Sequence, residues 1–336
     1  MYCLELAGDE DAFAVCEAAT AASDVDRVAP GVATARGITT ERLETLAYTH
    51  AASELVATCE PTIAAAELAV EAASYERCGS VAVRARNVRS KTGVSSQDAE
   101  RRLGSILVDR GFTVDLDDPD HELRVLFSAG AVDGEHREAC LIGWLAVESR
   151  RDFGERRPTD RPFFQPGSMD PLDARALVNI AGAKPGARIV DPMCGTGGLL
   201  LEAGLVGSSV VGLDAQWKMT RGSRENLGAL LADNADAEII HGDATALPLR
   251  DGCADGVVFD APYGRQSKIA RHELADLVGG ALGEARRIAN RAVMVADRSW
   301  EDKAREAGWR VDRRFERRVH GTLVRHVHVL SATDQR

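Results

Sequence analysis

Between residues 187 and 297 the chain alternates between short β-branched runs and longer helical stretches. "ARIVDP" (187–192), "SVVGLD" (209–214), "AEIIHGD" (237–243), "DGVVFD" (255–260) and "RAVMVAD" (291–297) read as strands. "GLLLEAGLVG" (198–207), "WKMTRGSRENLGALLA" (217–232) and "RHELADLVGGALGEARRIA" (271–289) read as helices between them. This alternation predicts a parallel sheet covered by helices on both faces. The ending departs from it: "GWRVDRRFERRVHGTLVRHVHVLSA" (308–332) reads as two strands joined by a turn near Gly321.

Ahead of residue 150 the pattern is looser. "SVAVRARNV" (80–88), "ELRVLFSAG" (122–130) and "EACLIGWLAV" (138–147) read as strands. "SSQDAERRLGSILVDRG" (95–111) reads as a helix with Ser95 or Ser96 at its N-cap and acids in its first turn. This is an α+β unit. "ESRRDFGERRPTDRPFFQPGS" (148–168), rich in Arg, Pro and Gly, reads as the linker between the two regions. A chain of 336 residues is in any case too long for one ordinary core.

Composition narrows the class. No apolar run approaches a membrane span, and the acidic start "MYCLELAGDEDAF" lacks the basic n-region of a signal peptide. Seven scattered cysteines without a CxxC pair predict reduced thiols in a cytoplasm, with no disulfide framework and no metal site. The net charge of −11 rests on 52 acids against 41 bases, of which only Lys91, Lys184, Lys218, Lys268 and Lys303 are lysines. Acid excess, scarce lysine and abundant alanine predict a high-salt, halophilic cytoplasm. A GC-rich genome would produce the same preference for Ala and Arg.

The strand ends carry the chemistry. "DPMCGTGG" (191–198), with Met193 inside it, follows a strand and opens a helix. Gly195, Gly197 and Gly198 let backbone approach a ligand, and the helix N-terminus offers free N–H groups. Alone, such a loop also suits a dinucleotide. Asp191 stands where a carboxylate can meet a positively charged amino-acid moiety. Asp214 ends the next strand, where a carboxylate can accept from both ribose hydroxyls. Asp243 ends the third, where its side chain and the Ala244 N–H can read an adenine edge. Acids at consecutive C-terminal strand edges match S-adenosylmethionine, although aspartates also cap strand–helix turns. In "RPFFQPGSMDPLDARALVNIAG" (161–182), Ser168 or Asp170 can cap a helix with Pro171 in its first turn. Leu172, Ala176, Leu177 and Ile180 form its buried stripe. The Gln165–Ser168 loop would lie over the cofactor; a plain linker followed by a helix fits the periodicity equally well.

The fourth strand edge is "DAPYGRQSK" (260–268). "DAPY" resembles the (D/N)PPY motif of methyltransferases that act on exocyclic amino groups. The resemblance implies that Asp260 and the Ala261 carbonyl accept from the amine. Pro262 stiffens the turn, and Tyr263 offers a face for the base. Asp260 can also take the released proton. Alanine stands at 261 where proline is usual, which keeps the carbonyl and relaxes only the backbone. An antiparallel hairpin closing a parallel sheet likewise marks the Rossmann-like, class I methyltransferase form of the α/β fold, with seven strands.

Taken in order, "RPFFQPGSM", "DPMCGTGGLLLEAGL", "GDAT" and "DAPYGR" are similar to the archaeal tRNA guanosine-10 N2-methyltransferase family. Residues 83–127 resemble a THUMP domain, an RNA-binding module of tRNA-modifying enzymes. The resemblance implies four regions: a small α+β domain at 1–60, THUMP at 61–150, a linker at 151–165 and the methyltransferase at 166–336. It implies S-adenosylmethionine as cofactor and tRNA as partner, for a monomer that takes neither DNA nor membrane. Cations for RNA are offered by Arg84, Arg86, Arg89 and Lys91, by Arg101 and Arg102, and by Arg313, Arg314, Arg317 and Arg318. Each cluster could equally be a solvated face balancing local acids. Methylation of another guanosine in tRNA or ribosomal RNA fits the same motifs. A non-catalytic RNA-binding role would follow if Ala261 abolished catalysis.

Overall fold

The computed structural model describes every residue except Tyr75, 264–270, 321–322 and 334–336, and only the backbone of 271–272, 319–320 and 323. The chain forms two compact units, Met1–Arg150 and Arg151–Arg336. Among the described residues no helix is long and apolar enough to cross a membrane.

The first unit runs β1 (Tyr2–Leu6), α1 (Asp11–Ala18), β2 (Ala22–Ser23), β3 (Asp26–Ala29), β4 (Val32–Ala35), β5 (Gly37–Ile38) and α2 (Thr40–Leu43). Then follow β6 (Thr49–Cys59), α3 (Ile63–Ala72), β7 (Ser80–Asn87), α4 (Ser96–Asp109), β8 (Thr113–Val114), β9 (His121–Val132) and β10 (Glu135–Glu148). Eight of these strands form one sheet in the order β3-β4-β1-β6-β10-β9-β7-β8. β6 pairs with β10 from Ala51↔Glu148 to Cys59↔Cys140, so the sheet runs straight across the boundary expected at residue 60. α4 presents Ala99, Leu103 and Leu107, one turn apart, to a core built with α3, β7, β9 and β10. Ser95 caps α4, its hydroxyl accepting from the Asp98 N–H at 3.2 Å.

Three buried acids pin the beginning of this unit. Glu17 accepts from the Ala47 and Tyr48 N–H groups at 2.8 and 2.7 Å. Asp11 accepts from Gly31 N–H and pairs with Arg89, while Glu5 pairs with Arg86 and Arg124. Paired carboxylates of this kind are tolerated inside because each oxygen has a donor.

The second unit contains α5 (Pro171–Ala181), β11 (Arg188–Asp191), α6 (Gly198–Leu205), β12 (Ser209–Asp214), α7 (Trp217–Leu230), β13 (Ala237–His241) and β14 (Gly256–Asp260). It ends with α8 (Arg271–Ile288), β15 (Arg291–Ala296), α9 (Glu301–Glu306), β16 (Trp309–His320) and β17 (Leu323–Ala332). The sheet order is β13-β12-β11-β14-β15-β17-β16. β13 to β15 are parallel, and the last two strands run antiparallel, as expected of a Rossmann-like methyltransferase. β14 reads "GVVFD" because Gly256, Val257, Val258 and Phe259 are buried in a covered parallel strand. Chain order reverses between β11 and β14, which opens a crevice at their C-terminal ends. The hairpin turn expected near Gly321 lies outside the described residues.

Residues 151–165, expected as a linker, belong to this unit. Phe153, Arg156 and Arg161 are buried, and Glu202 of α6 takes both Arg156 (Nε–Oε1 2.7 Å) and Arg175 (Nη2–Oε2 2.9 Å). The helix expected after Pro171 is α5, capped by Asp170 and not by Ser168. Ala176, Leu177 and Ile180 are buried as read; Leu172 is only half-buried, and the helix is otherwise buried nearly all round.

Candidate active site

The parallel strands bring their terminal residues to one edge. The register sets Asp191 opposite Gly212, with Asp214 two residues further along β12 and opposite His241. Val190 lies opposite Val257, which carries Asp260 beyond the end of β11. Asp191 is 1% exposed, and its Oδ1 accepts from the Met193 N–H at 2.9 Å. Burial, then the nearby charges of Asp214 and Asp260, push its carboxyl well above the usual range. A cation beside it would offset that burial cost and favour the ionised form, which makes the position a seat for one.

Asp214 holds the glycine loop. Its Oδ2 accepts from the Gly195 N–H at 3.0 Å and its Oδ1 from the Gln216 N–H at 2.8 Å; burial raises its carboxyl. Gly195 and Gly197 both have positive φ (53° and 79°), and a Cβ on Gly197 would run into the Ser223 hydroxyl. A Cβ on Gly195 would meet nothing, so that face of the loop is open. Asp243 is exposed, and its Oδ1 accepts from the Thr245 N–H and hydroxyl at 2.8 and 2.9 Å. That is the local cap the sequence left open beside the adenine role. Ala244 is buried next to it.

A cleft of about 180 Å³ lies over the loop. Its walls include Gln165, Ser168, Asp191, Met193, Gly195 and Asp260, all expected from the sequence. Gly197, Asp214, Asp243 and Ala244 are not among its walls. The 165–168 loop is tied down by Ser168, whose hydroxyl donates to the Gln165 carbonyl at 2.8 Å and lies 3.1 Å from the Thr196 hydroxyl. Sequence reasoning missed Thr196, which sits inside the quoted glycine loop, and Met219, on the cleft side of α7. It also missed Arg161, buried under Gly198 with neither Nη1 nor Nη2 hydrogen-bonded. Burial lowers its pKa, so an anion at the loop would relieve it. Trp217 is 68% exposed and stacks on His241, their centroids 4.0 Å apart, beside the β12–β13 edge.

The fourth edge is the most distinctive. Tyr263 donates its hydroxyl to Asp260 Oδ2 at 3.2 Å, while Asp260 Oδ1 is buried with no hydrogen-bond partner. Burial pushes the Asp260 carboxyl up to about 6, against the opposing pull of Arg325 and the Tyr263 hydrogen bond. Ala261 is buried and donates its N–H to the Val295 carbonyl at 2.8 Å, so the strand-end ladder holds the turn without a proline there. Pro262 follows, half-buried. Gly264, Arg265 and Lys268, quoted with this edge, lie outside the described residues. An orphaned acceptor, a cation seat and an open glycine loop suit the amino-acid and sulfonium parts of S-adenosylmethionine.

The arginines expected to meet RNA are largely engaged within the protein. Arg84 donates to the Leu116 carbonyl at 2.6 Å and lies 3.6 Å from Glu122. Arg86 and Arg89 neutralise the buried Glu5 and Asp11, Arg101 pairs with Asp98, and Arg102 with Glu67. Arg314 pairs with Glu301 and Glu316, and Arg317 turns inward to Asp173 at 2.9 Å. Lys91 and Arg313 are exposed. The balancing-charge alternative therefore accounts for most of the set.

The family described as "RMKL-like, methyltransferase domain" matches residues 158–326. The tRNA (guanine(10)-N2)-dimethyltransferase of Methanothermobacter thermautotrophicus is 37% identical over 295 residues, covering 85% of this chain and 83% of that protein. The protein of the same name from Pyrococcus abyssi is 29% identical over 245 residues, 70% of this chain and 69% of its own. The tRNA (guanine(6)-N2)-methyltransferase of Thermus thermophilus is 31% identical over 206 residues, 59% of this chain and 56% of its own. The crystal structure of TrmN from Thermus thermophilus aligns with a TM-score of 0.50 at 23% identity, covering 99% of both chains, and shares the fold. With an identity of 37% sustained over most of both chains, and a methyltransferase domain spanning the strand-edge cleft, this chain belongs to the tRNA (guanine(10)-N2)-dimethyltransferase family of S-adenosylmethionine-dependent enzymes.

Proposed function

We propose that the protein methylates the exocyclic N2 of guanosine 10 in tRNA, once or twice, with Asp260 as the acceptor that orients the amine. The supporting observation is the Asp260 carboxylate: one oxygen held by Tyr263, the other buried and unpartnered at the wall of the glycine-loop cleft. When bound, S-adenosylmethionine supplies an electrophilic methyl on its sulfonium. Asp191 would meet the cofactor's ammonium, and the Gly195 and Gly197 backbone would let its amino-acid part approach. Asp214 keeps lone pairs for the ribose hydroxyls while it holds Gly195 and Gln216. Gln165 and Ser168 close over the cleft; Met193, Asp243 and Ala244 serve the adenine side.

A guanine N2 lone pair is delocalised into the ring, so the amine is a weak nucleophile. Asp260 Oδ1 and the Ala261 carbonyl accept its two N–H groups and turn the lone pair toward the methyl. Orientation of this kind contributes several kcal/mol, roughly 7 in favourable cases. A methylated amine would carry a surplus proton, which Asp260 would accept and pass to solvent. A carboxyl held near 6 is ionised at neutral pH and still basic enough for that transfer. Tyr263 offers its ring to the base, and Pro262 limits the turn.

The first unit is the candidate tRNA grip, with THUMP at 61–150 and the accompanying small domain at 1–60 folded on the same sheet. Lys91 and Arg313 are exposed cations that could meet phosphate. A cytoplasmic monomer in high salt, taking neither DNA nor membrane, is the setting this reading carries. The test is nucleoside mass spectrometry of a tRNA transcript after reaction with the purified chain and S-adenosylmethionine. N2-methylguanosine and N2,N2-dimethylguanosine at position 10 are expected, and inosine at that position, which lacks the amine, should block transfer. A methyl at guanosine 6 instead would keep the chemistry and move the target; a methyl on a ring nitrogen would end the Asp260 reading.

A further inference from the structure

Arg325 lies on β17, 6% exposed, opposite Arg317 of β16. Its Nε donates to the Tyr263 hydroxyl at 3.1 Å, and that hydroxyl lies 3.2 Å from Asp260 Oδ2. A guanidinium can only donate, so the tyrosine oxygen must accept from Arg325 and its one proton must point to Asp260. The polarity of the chain is therefore fixed. Behind it, Arg325 Nη1 stands 3.8 Å from Asp173 of α5, whose other oxygen takes Arg317 Nη1 at 2.9 Å. Leu177, Val295 and Val327 wall this contact, which strengthens charge–dipole interactions there.

We propose that Arg325 is a positioning residue for methyl transfer: through the Tyr263 hydroxyl it fixes the Asp260 carboxylate so that Oδ1 is presented to the substrate amine. The inference rests on the reading of Asp260 and Tyr263 given above. It assigns the β16–β17 hairpin a part in the chemistry, where the sequence offered only a run of cations. The same guanidinium is the described positive charge acting on Asp260. The negative groups that act with it are Asp297 just after β15, itself paired with Arg298, and Asp191 at the end of β11. Loss of Arg325 leaves Asp260 among like charges, which raises its pKa and moves the acid limb of the rate upward.

The experiment is single-turnover methylation of a tRNA transcript by the full chain, at saturating S-adenosylmethionine, over a pH series. Arg325→Gln should lower the rate roughly 100-fold, as a misplacement of about an ångström does. It should also raise the acid limb by about one pH unit while S-adenosylmethionine affinity stays within about twofold. Arg325→Lys should restore the limb and only part of the rate, because lysine keeps the charge without the fixed Nε geometry. Tyr263→Phe keeps the ring and removes the relay; it should lower the rate by a similar factor, and the double variant should be no slower than the slower single one. Asp260→Ala runs in the same series. If it is inactive while Arg325→Gln keeps the wild-type rate and limb, the Arg325 assignment is overturned and the Asp260 reading stands. If Asp260→Ala keeps the wild-type rate, both fall. Should Arg325→Gln fail to fold, a wild-type rate and limb in Tyr263→Phe overturns the proposal.

Discussion

Asp243 and Asp260 are both aspartates at the end of a parallel strand, and only their surroundings separate them. Asp243 is in solvent and caps its own turn through Thr245, whereas Asp260 keeps one oxygen buried and unpaired. The sequence shows the motif and the position; it cannot show which carboxylate oxygen is left without a donor, because that depends on how the folded edge buries each oxygen and aims the neighbouring Thr245 and Tyr263 hydroxyls. Arg325 gave no signal at all, since its partner Tyr263 is brought to it by the closing hairpin. Burial raises Asp260 to about 6, so the protonated, inactive form gains as pH falls. The single-turnover rate should therefore drop through about that pH and level off above it, which a rate–pH profile checks. Asp214→Ala should weaken S-adenosylmethionine binding on the order of tenfold by calorimetry. It should also lower stability by about 1–3 kcal/mol, because the Gly195 and Gln216 N–H groups lose their acceptor. Unchanged affinity would remove the ribose assignment.

At the scale of elements, periodicity was most legible where a strand or helix is long and one-sidedly buried. β12 occupies 209–214 as read, and α4 and α7 fall within a residue or two of their expected limits. α9 escaped notice because six mostly charged residues carry no apolar period. Residues 151–165 looked like a linker for a related reason. Their short 3₁₀ turns have no repeat, and what buries them is the Glu202 cluster, a long-range contact. The arginine runs misled in the opposite direction: a sequence counts charges and does not pair them. Arg89 satisfies Asp11, which is 7% exposed. Arg89→Ala should destabilise the first unit by about 3 kcal/mol in a denaturant titration, because a buried carboxylate loses its partner. A midpoint equal to wild type would show that Asp11 is sustained by Gly31 alone.

For the whole molecule, the division at residue 150 gives each unit its own sheet, while every residue of the strand-edge cleft belongs to the second. A fragment of residues 151–336 should fold, bind S-adenosylmethionine in calorimetry and fail to methylate tRNA at a useful rate. Full-rate, correctly placed methylation by that fragment would deny the first unit its role. A net charge of −11 implies that screening relieves self-repulsion, so the thermal midpoint should rise as potassium chloride increases. A midpoint independent of salt would favour genome composition as the source of the acid excess. The central claim is that Asp260 serves chemistry and not binding, and single-turnover methyl transfer by Asp260→Ala tests it most directly, with cofactor and tRNA affinities measured on the same preparation. A rate lower by orders of magnitude with both affinities retained is the predicted result; near-normal transfer by that variant would contradict the account.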